Sequence, residues 1–400
     1  MRVLIATPYF YDPSHKEFTS TSSGFGYMVK DILDAVAKHD DIFVFTHQFT
    51  DGYKDNYSVV KHNKLDVVKR LRLRDLISGI RDAIRNNEDI NTRLHYLYYQ
   101  INKGAFIRTI CELNPEVVHI HGLTYQTKPF VEACNELKIK YIVTLHGLNG
   151  INETVILPDV EKIYEKDALT ELNKNGIPVT VISTGILKKI KIIYKIDISN
   201  IRVILNGTNL QPHHFTGINR EKFEIVCIGS ISFHKNQTQL IDSIINLDEN
   251  YKKNMHISFF GTDSDNINLG KYIKDSGLED IAEYKGFVPR NQLANVWKKA
   301  DLNVVMSKEE GFGLSIIEGF MYGVPTASFS DLDAIADLYN EEAIVLFKSR
   351  NCEDVQAGII QCMHRKFNRE KIIKWGMKFS MDAAGKNYSD LYRAVLRGHQ

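Results

Sequence analysis

Ser307-Lys308-Glu309-Glu310-Gly311-Phe312-Gly313-Leu314-Ser315-Ile316-Ile317-Glu318-Gly319 places two acids, Glu310 and Glu318, on either side of a glycine-bracketed turn. Before the turn, Asp301-Leu302-Asn303-Val304-Val305-Met306 reads as a short buried strand. After it, residues through Tyr322 read as a helix that stops at Gly323-Val324-Pro325. A strand, a glycine loop and a helix start make an anion site, because backbone N–H groups and the helix dipole point at whatever sits there. Flanking carboxylates can accept hydrogen bonds from hydroxyl pairs such as those of a sugar or a ribose. Phosphate on the amides and hydroxyls on the acids is the pattern of a nucleotide sugar. The plainer alternative is a strand–turn–helix with two solvated acids.

The same alternation recurs through all 400 residues. Apolar runs of strand length fall at Val3–Thr7, Ile42–Thr46, Val117–His121, Tyr141–His146 and Val179–Ser183. Others follow at Arg202–Leu205, Phe223–Gly229, His256–Gly261, Ala282–Gly286, Leu302–Met306, Thr326–Phe329 and Ala343–Phe347. Near-continuous apolar strands alternating with helical patterns predict parallel sheets covered by helices on both faces. Twelve strands are too many for one ordinary doubly wound sheet, and 400 residues too many for one compact core. Asp197-Ile198-Ser199-Asn200 is the candidate crossing. We therefore expect an α/β protein with one Rossmann-like domain over 1–200 and a second over 201–381. A last helix over 382–400 has Tyr388, Leu391 and Tyr392 at spacings of three and four.

A hydrophobic content of 44% and 25% charged residues are those of an ordinary soluble protein, and a net charge of +1 leaves no global field to recruit nucleic acid or membrane. The five cysteines (Cys111, Cys134, Cys227, Cys352, Cys362) are scattered without a C-x-x-C pair and read as buried thiols in a reducing cytosol. The apolar run Met1–Thr7 is too short for a signal peptide, and no run approaches a membrane span. The expectation is a cytoplasmic protein.

The segment around Glu310 and Glu318 resembles the E-x7-E signature of the retaining glycosyltransferases of family four. These have the GT-B fold: two Rossmann-like doubly wound domains facing across a cleft. The resemblance covers nearly the whole chain and is weakest between residues 50 and 110. It implies that Glu310 contacts the hydroxyls of a donor sugar and Glu318 those of the ribose, with Gly311, Phe312, Gly313 and Leu314 lining the donor between them. It also implies that the last helix crosses back onto the N-terminal domain and that the nucleotide sits mainly on the C-terminal one.

Further motifs extend the resemblance. Val203-Ile204-Leu205-Asn206-Gly207-Thr208-Asn209 is similar to the family's Asn-Gly-Val-Asp turn. Ile225-Val226-Cys227-Ile228-Gly229-Ser230 through Lys235-Asn236 is similar to its strand ending in Gly-Arg followed by a Lys. A Lys between a strand end and a helix start is a compact point charge for a diphosphate, and would stabilise a leaving nucleoside diphosphate. Lys235 is the candidate; otherwise it is one of many surface lysines. Where the family carries Arg, this chain has Ser230, and Lys308 and Arg290 are candidate replacement bases. Gly24 and Gly26, in Ser22-Ser23-Gly24-Phe25-Gly26-Tyr27 ahead of a helix at Met28–Lys38, match the family's glycine-rich loop toward the donor phosphates; turns alone also explain such a pair. The loop Gly286-Phe287-Val288-Pro289-Arg290 lies where the family's backbone touches the nucleobase, which makes Val288 a contact residue.

His146 closes the strand Tyr141–His146, and strand ends face the binding crevice of an open parallel sheet. The family's matching His lies beside the donor sugar. His119 and His121 share one strand face by alternation. With His146 they have the composition of a zinc set, but the family has the same pattern without metal, so they read as pocket wall or structure. Asp263-Ser264-Asp265 imitates a cation-binding D-x-D. Such pairs are common in polar loops, and we read this one and Asp331-Leu332-Asp333 as turns, with no metal site expected.

Residues 61–85 carry eight bases (Lys61, Lys64, Lys69, Arg70, Arg72, Arg74, Arg81, Arg85) against three Asp, with Leu71, Leu73, Leu76, Ile77, Ile80 and Ile84 interleaved. One reading is a helical insertion with a solvated basic face. The other is peripheral contact with anionic lipid, on the inner face of the cell membrane, or with a lipid-linked acceptor.

The resemblance implies retaining, metal-independent transfer of a sugar from a nucleoside-diphosphate sugar to a hydroxyl acceptor. The donor is a co-substrate, UDP favoured, and no cofactor is implied. Glu310, His146 and Lys235 would be catalytic, and the acceptor a glycan, a lipid-linked sugar or a protein in bacterial surface-glycan synthesis, with no nucleic-acid partner. Ser230 motivates an alternative, a catalytically weak relative acting as a binding or chaperone subunit. A sugar-nucleotide epimerase of similar fold is disfavoured by E-x7-E.

Overall fold

The structure, a computed structural model, describes residues 1–21, 23–85, 90–151, 159–197, 199–214 and 221–398. Ser22 of the glycine-rich loop, Ile198 of the expected crossing, the side chain of Arg85 and residues 399–400 of the last expected helix lie outside them. The chain divides into two compact units. One comprises residues 1–182, 186–206 and 381–400, the other 183–185 and 207–380.

The first unit is built on the strands β1 (Arg2–Thr7), β2 (Asp41–Thr46), β3 (Tyr53–Lys54), β4 (Ser58–Val59), β5 (Val117–His121), β6 (Tyr141–Leu145), β7 (Val179–Val181) and β8 (Ile201–Val203). Their order is β3-β4-β2-β1-β5-β6-β7-β8, parallel except for the antiparallel pair β3–β4. β5, β6 and β7 are buried along their whole length, as parallel strands covered on both faces require. The strand expected to open the second domain, at 202–205, is instead β8, the edge of this first sheet, pairing Val179 with Ile201 and Val181 with Val203. An apolar run identifies a strand, but which sheet it joins is settled by tertiary pairing.

Helix α1 (Gly24–Val36) starts at Ser23, whose hydroxyl accepts the Gly26 N–H at 3.0 Å. Between β4 and β5 come the helices α2 (Lys64–Lys69), α3 (Leu73–Arg85), α4 (Ile90–Ile101) and α5 (Lys103–Leu113). The helix Met381–Arg397 belongs to this first unit and packs on α1, where a Cβ on Gly385 would meet Ala35 Cβ at 2.7 Å. It buries Tyr388 and Tyr392 completely. Its Ser389 hydroxyl donates to the buried Asp40, and Arg393 pairs with the same carboxylate at 3.1 Å.

The second unit carries β9 (Phe223–Ile228), β10 (Met255–Phe260), β11 (Ala282–Gly286), β12 (Leu302–Val304), β13 (Thr326–Phe329) and β14 (Ile344–Phe347). They form a parallel sheet in the order β11-β10-β9-β12-β13-β14. Trp297, fully buried among Val226, Met321 and Val324, fills one face of this core. Gly319 lets the helix Leu314–Phe320 approach it, since a Cβ there would lie 3.2 Å from the indole.

Of the cysteines, Cys134, Cys227 and Cys362 are buried, but Cys111 is exposed and Cys352 partly so, which corrects the expectation of five buried thiols. Among the described residues no helix is long and apolar enough to cross a membrane.

Candidate functional site

In the second unit the chain runs from β9 outward to β10 and β11, then returns to the other side of β9 as β12. Such a reversal leaves a crevice beyond the carboxyl ends of the two strands it separates. Lys235 follows β9 and Glu310 follows β12, so the reversal brings them together: the Lys235 ammonium is ion-paired with Glu310 Oε2. Their side chains keep 25% and 15% of their exposure.

Each side of this pair is fixed by backbone chemistry. Gly229 and Gly261 end the adjacent strands β9 and β10 at φ +154° and +150°, and a Cβ on Gly261 would fall 1.8 Å from the Gly229 carbonyl oxygen. That approach turns the chain into the 230–236 loop, where the Lys235 stem lies along Gly229. The Ser232 hydroxyl accepts the Lys235 N–H at 3.1 Å, and Gln237 Nε2 donates to the Ser230 carbonyl at 2.8 Å. Asp265 accepts the Phe233 N–H at 2.8 Å, while Asp263 accepts those of Ile267 and Asn268 at 2.9 and 2.7 Å. Asp263 thus holds the turn that follows it, and Asp265 ties that turn to the 230–236 loop. Asp331 pairs with Arg350 at 2.9 Å.

On the other side, Glu310 Oε1 accepts the Gly313 N–H at 3.2 Å, and the Ser307 hydroxyl lies 3.3 Å from Oε2. Gly313 sits at φ +79° ahead of the helix Leu314–Phe320, with no room for a Cβ against Ile316. The two loops are tied by the Lys308 N–H donating to the His234 carbonyl at 2.9 Å. Burial pushes the Glu310 carboxyl up, but the charge and hydrogen bond of Lys235, with His234 and the Gly313 amide, outweigh it and hold Glu310 below the usual carboxylate range. His234 is pushed down by burial and by Lys235.

Glu318 lies on the helix Leu314–Phe320, 5% exposed, with Arg290 of the loop after β11 at 3.6 Å. Of the two candidate replacements for the base missing at Ser230, Arg290 is thus at Glu318, and Lys308 is exposed on the loop bound to His234. Ser230 itself is exposed. Phe312 turns its ring into the core against Phe379, which leaves its backbone toward a ligand, while Val288 is half-buried against the core cluster that holds Trp297. Gly311 and Leu314 are partly exposed between Glu310 and Glu318.

Gly24, Gly26, Asn206 and His146 belong to the first unit. Gly24 has open space around it, and Gly26 is buried in the first turn of α1. The buried Asn206 amide oxygen has no hydrogen-bond partner among the described residues. His146 directly follows β6, and its Nε2 lies 2.9 Å from His121 Nδ1. His119 is engaged at both nitrogens, 2.7 Å from the Tyr392 hydroxyl and 2.7 Å from Thr144 Oγ1. Burial drives His119 down to about 3 and His146 to about 4, so both rings are neutral at ordinary pH. Sequence reasoning missed His234, Ser307 and Gly261. A glycine ending each of two neighbouring strands was the available signal for the last.

Residues 212–379 match the family described as Glycosyl transferases group 1. Mannosylfructose-phosphate synthase of Agrobacterium fabrum is 30% identical over 109 residues, 26% of this chain and only 24% of that protein's length. An uncharacterized glycosyltransferase of Methanocaldococcus jannaschii is 23% identical over 330 residues, 79% of this chain and 87% of its own. Sucrose-phosphate synthase from Thermosynechococcus elongatus superposes with a TM-score of 0.75 over all of both chains at 14% identity. An Anabaena protein solved in complex with UDP and glucose does so with a TM-score of 0.65, over 98% of this chain and 100% of its own, also at 14%. The architecture is GT-B, and the match to the glycosyl transferase family lies within the second unit.

Proposed function

We propose that the protein is a retaining glycosyltransferase that moves a sugar from a nucleoside-diphosphate donor, UDP favoured, to a hydroxyl of a glycan, lipid-linked or protein acceptor in cytoplasmic assembly of a surface glycan. The observation that carries this reading is the Lys235–Glu310 pair at the strand reversal between β9 and β12. Lys235 meets the diphosphate, Glu310 the hydroxyls of the sugar, and Glu318 those of the ribose. In the second unit Ser230, Gly311, Gly313 and the main chain of Phe312, Leu314 and Val288 line the donor; Gly24, Gly26 and Asn206 of the first unit are donor-binding candidates by the resemblance. His146 of the first unit is a candidate partner for the sugar by the resemblance.

In the reaction the bond from the anomeric carbon to the diphosphate oxygen breaks. The acceptor oxygen bonds to the same face, and its proton passes to the departing phosphate. Lys235 offsets the charge that grows there, which is where preorganised charge lowers a barrier most. No divalent cation is required in this scheme. Nucleotide release from UDP-, GDP- and ADP-sugars, with and without EDTA, tests it. Release from at least one donor, undiminished by EDTA, is expected. A protein that EDTA silences and manganese or magnesium restores would return Asp263 and Asp265 to the metal role. Binding of a nucleotide sugar that is never turned over would leave a binding subunit.

A further inference from the structure

We propose that the outer face of α2 and α3, continued by the start of α4, docks on an anionic phospholipid bilayer, with α3 lying in the plane of the headgroups. A helix on a protein surface normally turns its apolar stripe inward, and α3 does the reverse. Leu73, Ile77, Ile80 and Ile84 recur at spacings of three and four, on one side of the helix. They are exposed by 72%, 49%, 43% and 72%. The inward side carries Asp75, 2% exposed, and Gly79, where a Cβ would fall 2.9 Å from Leu97 of α4. Asp75 is held by Arg72 Nε at 3.0 Å and Lys103 at 3.7 Å, and Asp82 is ion-paired with Lys128. Polar pairs therefore fasten α3 to the unit and leave its hydrophobic side uncovered. Leu65 and Val68 of α2 and Ile90 and Leu94 of α4 add aliphatic surface exposed by 55% or more.

The charge is sorted in the same way. Every exposed position from 64 to 84 is either aliphatic or basic. The outward cations are Lys64, Lys69 and Arg81, with Arg74 exposed but ion-paired with Glu136, whereas the acids Asp66, Asp75 and Asp82 are each drawn into an ion pair within the unit. Aliphatic side chains flanked by bases, with no outward acid among the described residues 64–84, match a negatively charged headgroup layer over an acyl core. A second copy would bring the same cations face to face, which opposes self-association. The sequence singles out the whole basic run, but Arg70 and Arg72 are ion-paired with Asp66, Asp75 and Glu136 and are not part of this face.

The test is co-sedimentation of the full chain with vesicles of phosphatidylcholine alone and of phosphatidylcholine mixed with phosphatidylglycerol. Binding is expected on the mixed vesicles only and should weaken as salt rises. Two variants probe the two components: Ile77→Ser with Ile80→Ser and Ile84→Ser, and Lys64→Gln with Lys69→Gln and Arg81→Gln. Each should weaken partitioning on the order of 100-fold while melting like the wild type, because the replaced side chains are exposed. Absence of wild-type binding, equal binding to neutral vesicles, or binding unchanged in both variants overturns the proposal. So does concentration-dependent dimerisation without lipid that the isoleucine variant abolishes, which would assign the face to a second copy. A melting shift induced by UDP tests the donor site separately and should persist in both variants.

Discussion

Lys235→Met keeps the stem that lies along Gly229 and deletes the ammonium. Glu310 is then a carboxylate of 15% exposure left with the Gly313 amide and the Ser307 hydroxyl. Breaking a buried ion pair from one side costs about 3–5 kcal/mol. Water reaches this pair in part, which lowers the expected cost to about 2 kcal/mol. For a unit of this size that is a fall in melting temperature of roughly 4–8 °C. Burial, no longer outweighed, should carry the Glu310 pKa from below the usual carboxylate range to above it, and the acid limb of donor binding should move up with it. Calorimetric melts at neutral pH of Lys235→Met, Glu310→Gln and the double variant complete a cycle. The double variant, with neither charge, should recover most of the lost stability. It should not recover turnover, which Lys235→Met lowers on the order of 10²-fold if the ammonium supplies about 3 kcal/mol in the transition state. Single variants that melt within about a degree of wild type would refute the energetic argument. Turnover restored in the double variant would refute the catalytic one.

Glu318→Ala should chiefly raise the donor KM with kcat little changed, because a ribose is held equally in ground and transition states; steady-state kinetics with the preferred donor checks this, and a kcat effect alone would remove the ribose assignment. Gly261→Ala should cost at least about 3 kcal/mol by urea denaturation, since its Cβ would overlap the Gly229 carbonyl at 1.8 Å; wild-type stability would deny that this contact shapes the loop. Four histidines of the first unit, His47, His62, His119 and His146, are pushed by burial to about 3, 4, 3 and 4. Their folded pKa lies below the unfolded 6.5, so the unfolded chain binds more protons. The stability they hold is complete above that value and is lost as pH falls from about 6.5 toward 3 to 4. Between pH 7.5 and 5.5 each should cost about 1.4 kcal/mol, roughly 5 kcal/mol together; urea midpoints that coincide at the two pH values would refute it.

The parallel strands were legible because burial on both faces writes itself as unbroken apolar runs such as Val3-Leu4-Ile5-Ala6 and Val117-Val118. β3 and β4, two residues each, are too short to carry any period. Glu310 and Lys235 each stood out within a local motif. Their ion pair did not, because 75 positions separate them and only the strand order makes β9 and β12 neighbours. In α3 the spacing announced an amphipathic helix correctly but not its orientation. That was set by Asp75, Gly79 and the distant Lys103, whose pairing turns the aliphatic side outward.

The helix Met381–Arg397 completes a unit whose other parts end at Asn206. A ribosome therefore delivers all of residues 207–380 before the side chains that cover His119 and Asp40 emerge. The second unit, though later in the chain, is the earlier one able to finish folding, and the first must wait with a bare flank until Tyr388 and Tyr392 arrive. A chain stalled or cleaved after Ser380 would carry an intact second sheet and a first sheet stripped of its cover, so proteolytic quality control should read damage at the C-terminus as a defect of the N-terminal half.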